Sequence, residues 1–246
     1  VAAVTRTRAI IALDVPDFAA AASLVQRVGD ACDFYKVGLE LYAADGPRVV
    51  EWLRGQGKDV FIDLKAHDIP NTVHGVARSA ARLGARLLTV HASGGRRMLE
   101  AAVDGAGGAN TQDGGGCGIL AVTVLTSFSE AEYAEAAGKP LSDVGVEVLR
   151  LAGLADAAGC HGIVCSGEEV AAVRGTYPGL WPLVPGVRLA GGATHDQTRV
   201  VTPEAATAHG ARYVVVGRAV TQAADAAAAM AEVRAGIARG QGGAAE

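Results

Sequence analysis

DVFIDLKAHDIPNT, residues 59–72, decides how the rest of the chain is read. An apolar run ends in three charges, Asp63, Lys65 and Asp68. A helix then begins at Pro70 and Asn71 and continues through VHGVARSAARLG to a stop at Gly84. Proline suits the first helical turn, where its missing N–H has no partner anyway, and glycine suits the position just past a helix end. Side chains alternate faces along a strand, so Asp63 and Lys65 point one way and Leu64 the other. Read alone, this is an ion pair at a strand end, because charges placed there are costly unless they pair or do chemistry.

The same strand-then-helix unit recurs on both sides. With the opening stretch as the third, apolar strands are expected at 9–15, 33–40, 86–92, 119–125, 161–166, 181–187 and 212–218. Asp17 is placed to cap the first helix, which Gly29 ends. Thr202 and Pro203 open the helix before the eighth strand, and an Ala-rich helix is expected over 219–239. A Gly-rich loop, 107–118, precedes the fifth strand. A long connection, 126–143, follows that strand as a candidate lid with room for a short helix.

Eight β/α units in 246 residues predict a single α/β domain over 1–246, a (β/α)8 TIM barrel. Near-continuous Val/Ile/Leu runs fit parallel strands buried on both faces. The competing architecture is an open doubly wound sheet, which usually carries a Gly-rich turn after its first strand. Here that turn is DVPDF, without glycine.

Composition narrows the function. A net charge of −4, 4% aromatics and the absence of a Lys/Arg-rich run argue against nucleic acid as a partner. No apolar window is long enough to span a membrane, and the N-terminal residues run straight into a strand without a cleavable leader pattern, so a cytoplasmic location is the expectation. Cys32, Cys117, Cys160 and Cys165 form no CxxC pair, and buried thiols are expected rather than a metal site. No cofactor motif is seen.

Barrel sites lie at the C-terminal strand ends. Asp14, Lys36, Asp63, Lys65, His91, Thr126, Ser127, Arg188 and Arg218 all fall at or near such ends. Charges converging on one mouth are hard to read as independent ion pairs, so the expectation shifts to a binding site. The segments PGVR (185–188) and VGRA (216–219) each set glycine beside arginine after strands seven and eight. Glycine lets backbone N–H groups approach an anion, a following helix adds its positive end, and arginine supplies a planar charged fork. Together they predict a phosphorylated substrate, with Gln197 as a weaker donor to the same group.

These residues also carry a resemblance. DLKAHDIPNT (63–72) resembles the signature of the orotidine 5′-monophosphate decarboxylase family, bacterial type. ALDV (12–15), FYKVGLE (34–40), TVHASGG (89–95), VTVLTS (122–127), PGVR (185–188), DQTRVVTP (196–203) and YVVVGRA (213–219) follow in the family's order. The Gly-rich insert is the clearest departure. The resemblance implies a barrel of the ribulose-phosphate-binding type and cofactor-free decarboxylation of orotidine 5′-monophosphate to uridine 5′-monophosphate, the last step of de novo pyrimidine synthesis. It implies that Lys36, Asp63, Lys65 and Asp68 form an alternating charged array with Lys65 as proton donor. Asp14 and Lys36 would hold the ribose, Thr126 and Ser127 would lie by the pyrimidine, and Arg188, Gln197, Gly217 and Arg218 would hold the phosphate. It further implies a homodimer in which Asp68, Ile69 and Thr72 reach the partner's site. Competing readings are a Mg2+-dependent sugar-phosphate decarboxylase or aldolase of the same superfamily and a non-catalytic nucleotide-binding barrel. His67 and His91 are expected to be structural, since Lys65 already fills the proton-donor role.

Overall fold

The computed structural model describes residues 6–108, 116–138, 143–189 and 201–242. The first half of the chain runs β1 (Arg8–Leu13), α1 (Phe18–Val28), β2 (Phe34–Gly38), α2 (Leu39–Gly55), β3 (Asp59–Ala66), α3 (Pro70–Arg82), β4 (Leu87–His91) and α4 (Arg96–Gly105). The second half runs β5 (Gly118–Val122), α5 (Glu130–Ala137), α6 (Val144–Ala157), β6 (Gly162–Val164), α7 (Val170–Thr176), β7 (Trp181–Val184), α8 (Pro203–Ala208), β8 (Tyr213–Val216), α9 (Arg218–Thr221) and α10 (Ala226–Gly242). The strands pair in parallel in chain order, and β1 closes on β8 with Arg8 opposite Tyr213. The fold is a closed (β/α)8 barrel.

Strand parity divides the core into two layers. Ile10, Phe34, Phe61, Leu87, Leu120 and Tyr213 fill the barrel interior. Their neighbours, such as Ile11, Tyr35, Ile62 and Leu88, point outward into the layer between sheet and helices. All four cysteines are buried. Burial pushes the thiol of Cys32 up to about 11 and that of Cys160 up to about 12, far from a reactive thiolate. No described helix is long and apolar enough to cross a membrane.

Several expected boundaries move. The second strand, expected over 33–40, stops at Gly38, and α2 begins at Leu39. Leu39–Ala44 are good helix formers, and the helix continues past Pro47 by kinking at Asp45, whose φ is −141°. Asp45 instead accepts the Phe18 backbone N–H at 3.0 Å. The helix expected over 219–239 is two helices. Asp225 accepts the Ala228 N–H at 2.9 Å and so starts α10 afresh, leaving α9 as a single turn. The long connection after β5 does contain a short helix, α5, opened by a reciprocal Ser129–Glu132 capping box. Most of the Gly-rich insert lies outside the described residues.

Candidate active site

The parity that buries Ile10, Phe34 and Phe61 in the barrel carries upward to Asp14, Lys36 and Asp63. These residues, with Lys65, line a cavity of about 560 Å³ at the C-terminal strand ends. Its wall also holds Thr126, Ser127, Arg188, Gly217 and Arg218, and its floor is apolar, including Phe61 and Val122.

Four charges alternate in sign along that wall. Lys36 Nζ lies 2.9 Å from Asp14 Oδ1 and 3.5 Å from Asp63 Oδ2. Lys65 Nζ lies 2.9 Å from Asp63 Oδ1 and 3.0 Å from Oδ2. Lys36 and Asp63 are both buried, while the Asp14 side chain is 63% exposed at the rim. Burial alone would raise the Asp63 carboxyl. The ammonium groups of Lys36 and Lys65, with hydrogen bonds from Lys65 and Thr89, outweigh it and hold Asp63 below the usual carboxylate range. Asp63 is therefore a carboxylate at neutral pH.

Strand alternation alone does not place Lys65. The β3–β4 register shifts between Ile62, opposite Leu88, and Ala66, opposite Val90. Asp63, Leu64 and Lys65 thus share one β4 position, Thr89. Lys65 has φ +49°, a left-handed backbone that no other non-glycine among the described residues adopts. Such conformations are strained in residues with a side chain and cluster at functional sites. The Lys65 N–H finds its partner in Thr89 Oγ1 at 2.9 Å, and the Thr89 hydroxyl donates to Asp63 Oδ1 at 2.8 Å.

Two further residues escaped sequence reasoning. Thr89 sits in LLTVH, where a lone threonine reads as ordinary core. The available signal was that Thr89 shares its face with His91. Gly38, within FYKVGLE, carries no signal of its own. A Cβ there would lie 2.9 Å from Lys36 Nζ, so a side chain at this position would push the ammonium from its present place beside Asp14.

The His91 and His67 rings lie beside the array with centroids 5.5 Å apart and planes tilted by 39°. Burial, then the nearby His67 and Lys65, push the His91 imidazole below its ordinary value, and Asp63 only partly offsets them. Neither histidine lines the cavity.

Arg188 and Arg218 face the same cavity as Lys65, beside Gly186 and Gly217. Gly186 has φ +72°, which demands glycine in that turn. Gln197 lies outside the described residues. Asp68, Ile69 and Thr72 are exposed and do not line this chain's cavity. Asp68 Oδ1 instead accepts the Ile69 N–H at 2.6 Å. Within one chain, the array is thus Asp14, Lys36, Asp63 and Lys65, without Asp68.

Comparison with known proteins places the chain among relatives. The model of the family described as "Orotidine 5'-phosphate decarboxylase / HUMPS family" matches residues 7–233. An orotidine 5'-phosphate decarboxylase of Anaeromyxobacter sp. (strain K) is 51% identical over 233 residues, covering 94% of this chain and 98% of the relative. One from Halorhodospira halophila is 49% identical over 234 residues, covering 94% and 96%. The crystal structure of orotidine 5'-phosphate decarboxylase from Lactobacillus acidophilus superposes with a TM-score of 0.82 at 35% identity, covering 94% of this chain and 99% of that one.

Proposed function

This chain belongs to the orotidine 5'-phosphate decarboxylase / HUMPS family, and we propose that it converts orotidine 5′-monophosphate to uridine 5′-monophosphate and CO2, closing pyrimidine nucleotide synthesis. One observation carries the reading. The Asp14–Lys36–Asp63–Lys65 chain and the arginines Arg188 and Arg218 open into the same cavity. That is a polar grip for a ribose and a reacting ring together with a cationic grip for a phosphate.

The chemistry follows from fixed charge. Breaking the bond between the ring carbon and its carboxylate leaves an electron pair on that carbon as CO2 departs. The Lys65 ammonium stabilises the pair because it is already in place and needs no solvent to reorganise. It then donates a proton to the carbon, forming the new C–H bond, and recovers one from solvent. Asp63 holds that ammonium in position through both of its oxygens.

The remaining roles rest on the family resemblance and on what lines the cavity. Asp14 and Lys36 hold ribose hydroxyls, and Thr126 and Ser127 lie by the pyrimidine. Arg188, Gly217 and Arg218 hold the phosphate, whose binding energy serves to orient the distant ring. For Gln197 the resemblance is the sole support. Asp68, Ile69 and Thr72 are read as residues lent to a partner's site in a homodimer. Two observations support this: none of them lines its own chain's cavity, and Ile69 presents an apolar side chain that is 66% exposed. Release of uridine monophosphate and CO2 in equal amounts by purified protein tests the proposal, and failure to release them overturns it.

A further inference from the structure

We propose that the Thr89 hydroxyl is a positioning group for this reaction, locking Lys65 into its left-handed backbone and fixing the Asp63 carboxylate against the Lys65 ammonium. The inference rests on the functional reading above and deepens it.

The geometry is a closed ring of hydrogen bonds. The Lys65 N–H donates to Thr89 Oγ1 at 2.9 Å, and Thr89 Oγ1 donates to Asp63 Oδ1 at 2.8 Å. That same oxygen accepts from Lys65 Nζ at 2.9 Å. Thr89 thereby ties Lys65 at both ends, directly at the backbone and through Asp63 at the ammonium. The hydroxyl is suited to this because it donates once and accepts at the same atom. Thr89 is fully buried, so water does not compete for either bond.

The bulge explains why the tie is needed. Three β3 residues stand opposite Thr89 alone, so the regular ladder cannot serve each N–H. A positive φ in lysine persists only where the surroundings over-determine it. Without the hydroxyl, Lys65 can relax toward the extended region and swing its ammonium away from the reacting carbon. Displacement of a reacting group by about 1 Å costs on the order of 100-fold in rate. Thr89 touches neither the cavity nor the reacting atoms, so it acts through Lys65 and Asp63.

Thr89→Val keeps the shape and removes both bonds, whereas Thr89→Ser keeps both bonds and removes the methyl. The expected kcat of T89V is about 30- to 100-fold below wild type with KM within about threefold, and T89S stays within about threefold in both. Lys65 amide exchange in ligand-free protein is expected to be at least about tenfold faster in T89V and unchanged in T89S. A purely packing role would instead lower Tm and leave kcat of the folded protein intact. The proposal is overturned if T89V keeps kcat within about threefold of wild type, or if T89S is as impaired as T89V. Should T89V fail to fold, T89A against T89S carries the same comparison, and equal kcat values overturn it. Wild-type turnover tests the functional reading separately, and amide exchange needs no turnover, so the two can fail independently.

Discussion

Lys65 Nζ lies 2.9 and 3.0 Å from the two carboxylate oxygens of Asp63, and Lys65 is the one non-glycine among the described residues with positive φ. The pair sits inside an alternating chain whose other members are Lys36 and Asp14. Removing the Asp63 carboxylate takes a partner from two ammonium groups at once.

Asp63→Asn is accordingly expected to lower kcat by about 100-fold or more, since it releases Lys65 and leaves Lys36 with Asp14 alone. Steady-state kinetics on orotidine monophosphate checks this. A kcat within a few-fold of wild type would show that Lys65 positions itself without Asp63.

Arg218 acts at the other end of the cavity. Arg218→Ala is expected to lower kcat/KM by about 100-fold or more through lost phosphate binding, although Arg218 holds no reacting atom. Comparison of kcat/KM for the two proteins reads this directly, and an unchanged value removes Arg218 from the phosphate grip.

Both acids of the array are already engaged by lysines, and the reaction as proposed draws on no metal ion. Full activity is expected to survive excess EDTA. Loss of activity in EDTA, with recovery on adding Mg2+, would favour the sugar-phosphate chemistry of the same superfamily.

The dimer reading makes a mixing prediction. Lys65→Ala and Asp68→Ala are each expected to be nearly inactive alone. If Asp68 is lent across the interface, half the dimers in an equal mixture are hybrids, and half the sites in each hybrid are intact. Activity should then recover to about a quarter of wild type after subunit exchange. No recovery on exchange would place Asp68 in its own chain's site, and an Asp68→Ala protein that is active alone would place it outside any site.

At the barrel's other end, His161 packs against Trp181 and hydrogen-bonds Tyr213, and its buried Nδ1 finds no partner among the described residues. Burial, with Arg86 and Arg212 nearby, pushes its imidazole down to about 4. The unfolded chain takes up this proton near pH 6.5, while the folded chain resists until about pH 4. Stability should therefore fall as pH drops through that window, by on the order of 3 kcal/mol from this group. Urea unfolding midpoints of wild type against His161→Phe test it, and an identical pH slope in the two would contradict it.

The sequence revealed the barrel and most of the mouth for one reason: strand parity is rigid. Asp14, Lys36 and Asp63 continue the interior parity of Ile10, Phe34 and Phe61, so their convergence follows from counting, whereas Arg188 and Arg218 lie past β7 and β8 and were legible from the loops that follow those strands. What stayed hidden depends on departures from regularity. Nothing in IDLKAHD announces a bulge, so the left-handed Lys65 and its Thr89 tie were out of reach. The split between α9 and α10 turns on one capping aspartate, Asp225, inside an Ala-rich run that reads as continuous helix. Asp68 lies past the strand, where parity no longer constrains a side chain, and only the resemblance pointed it toward another subunit.

In the proposed reaction Lys65, fixed by Asp63, drives the decarboxylation of orotidine monophosphate. Loss of substrate absorbance on mixing with purified protein, run beside Lys65→Ala, tests it most directly. The account predicts sustained turnover by the wild type and a fall of at least about 1,000-fold in kcat for the variant. A wild type that leaves the absorbance unchanged, or a Lys65→Ala protein that matches it, would contradict the account.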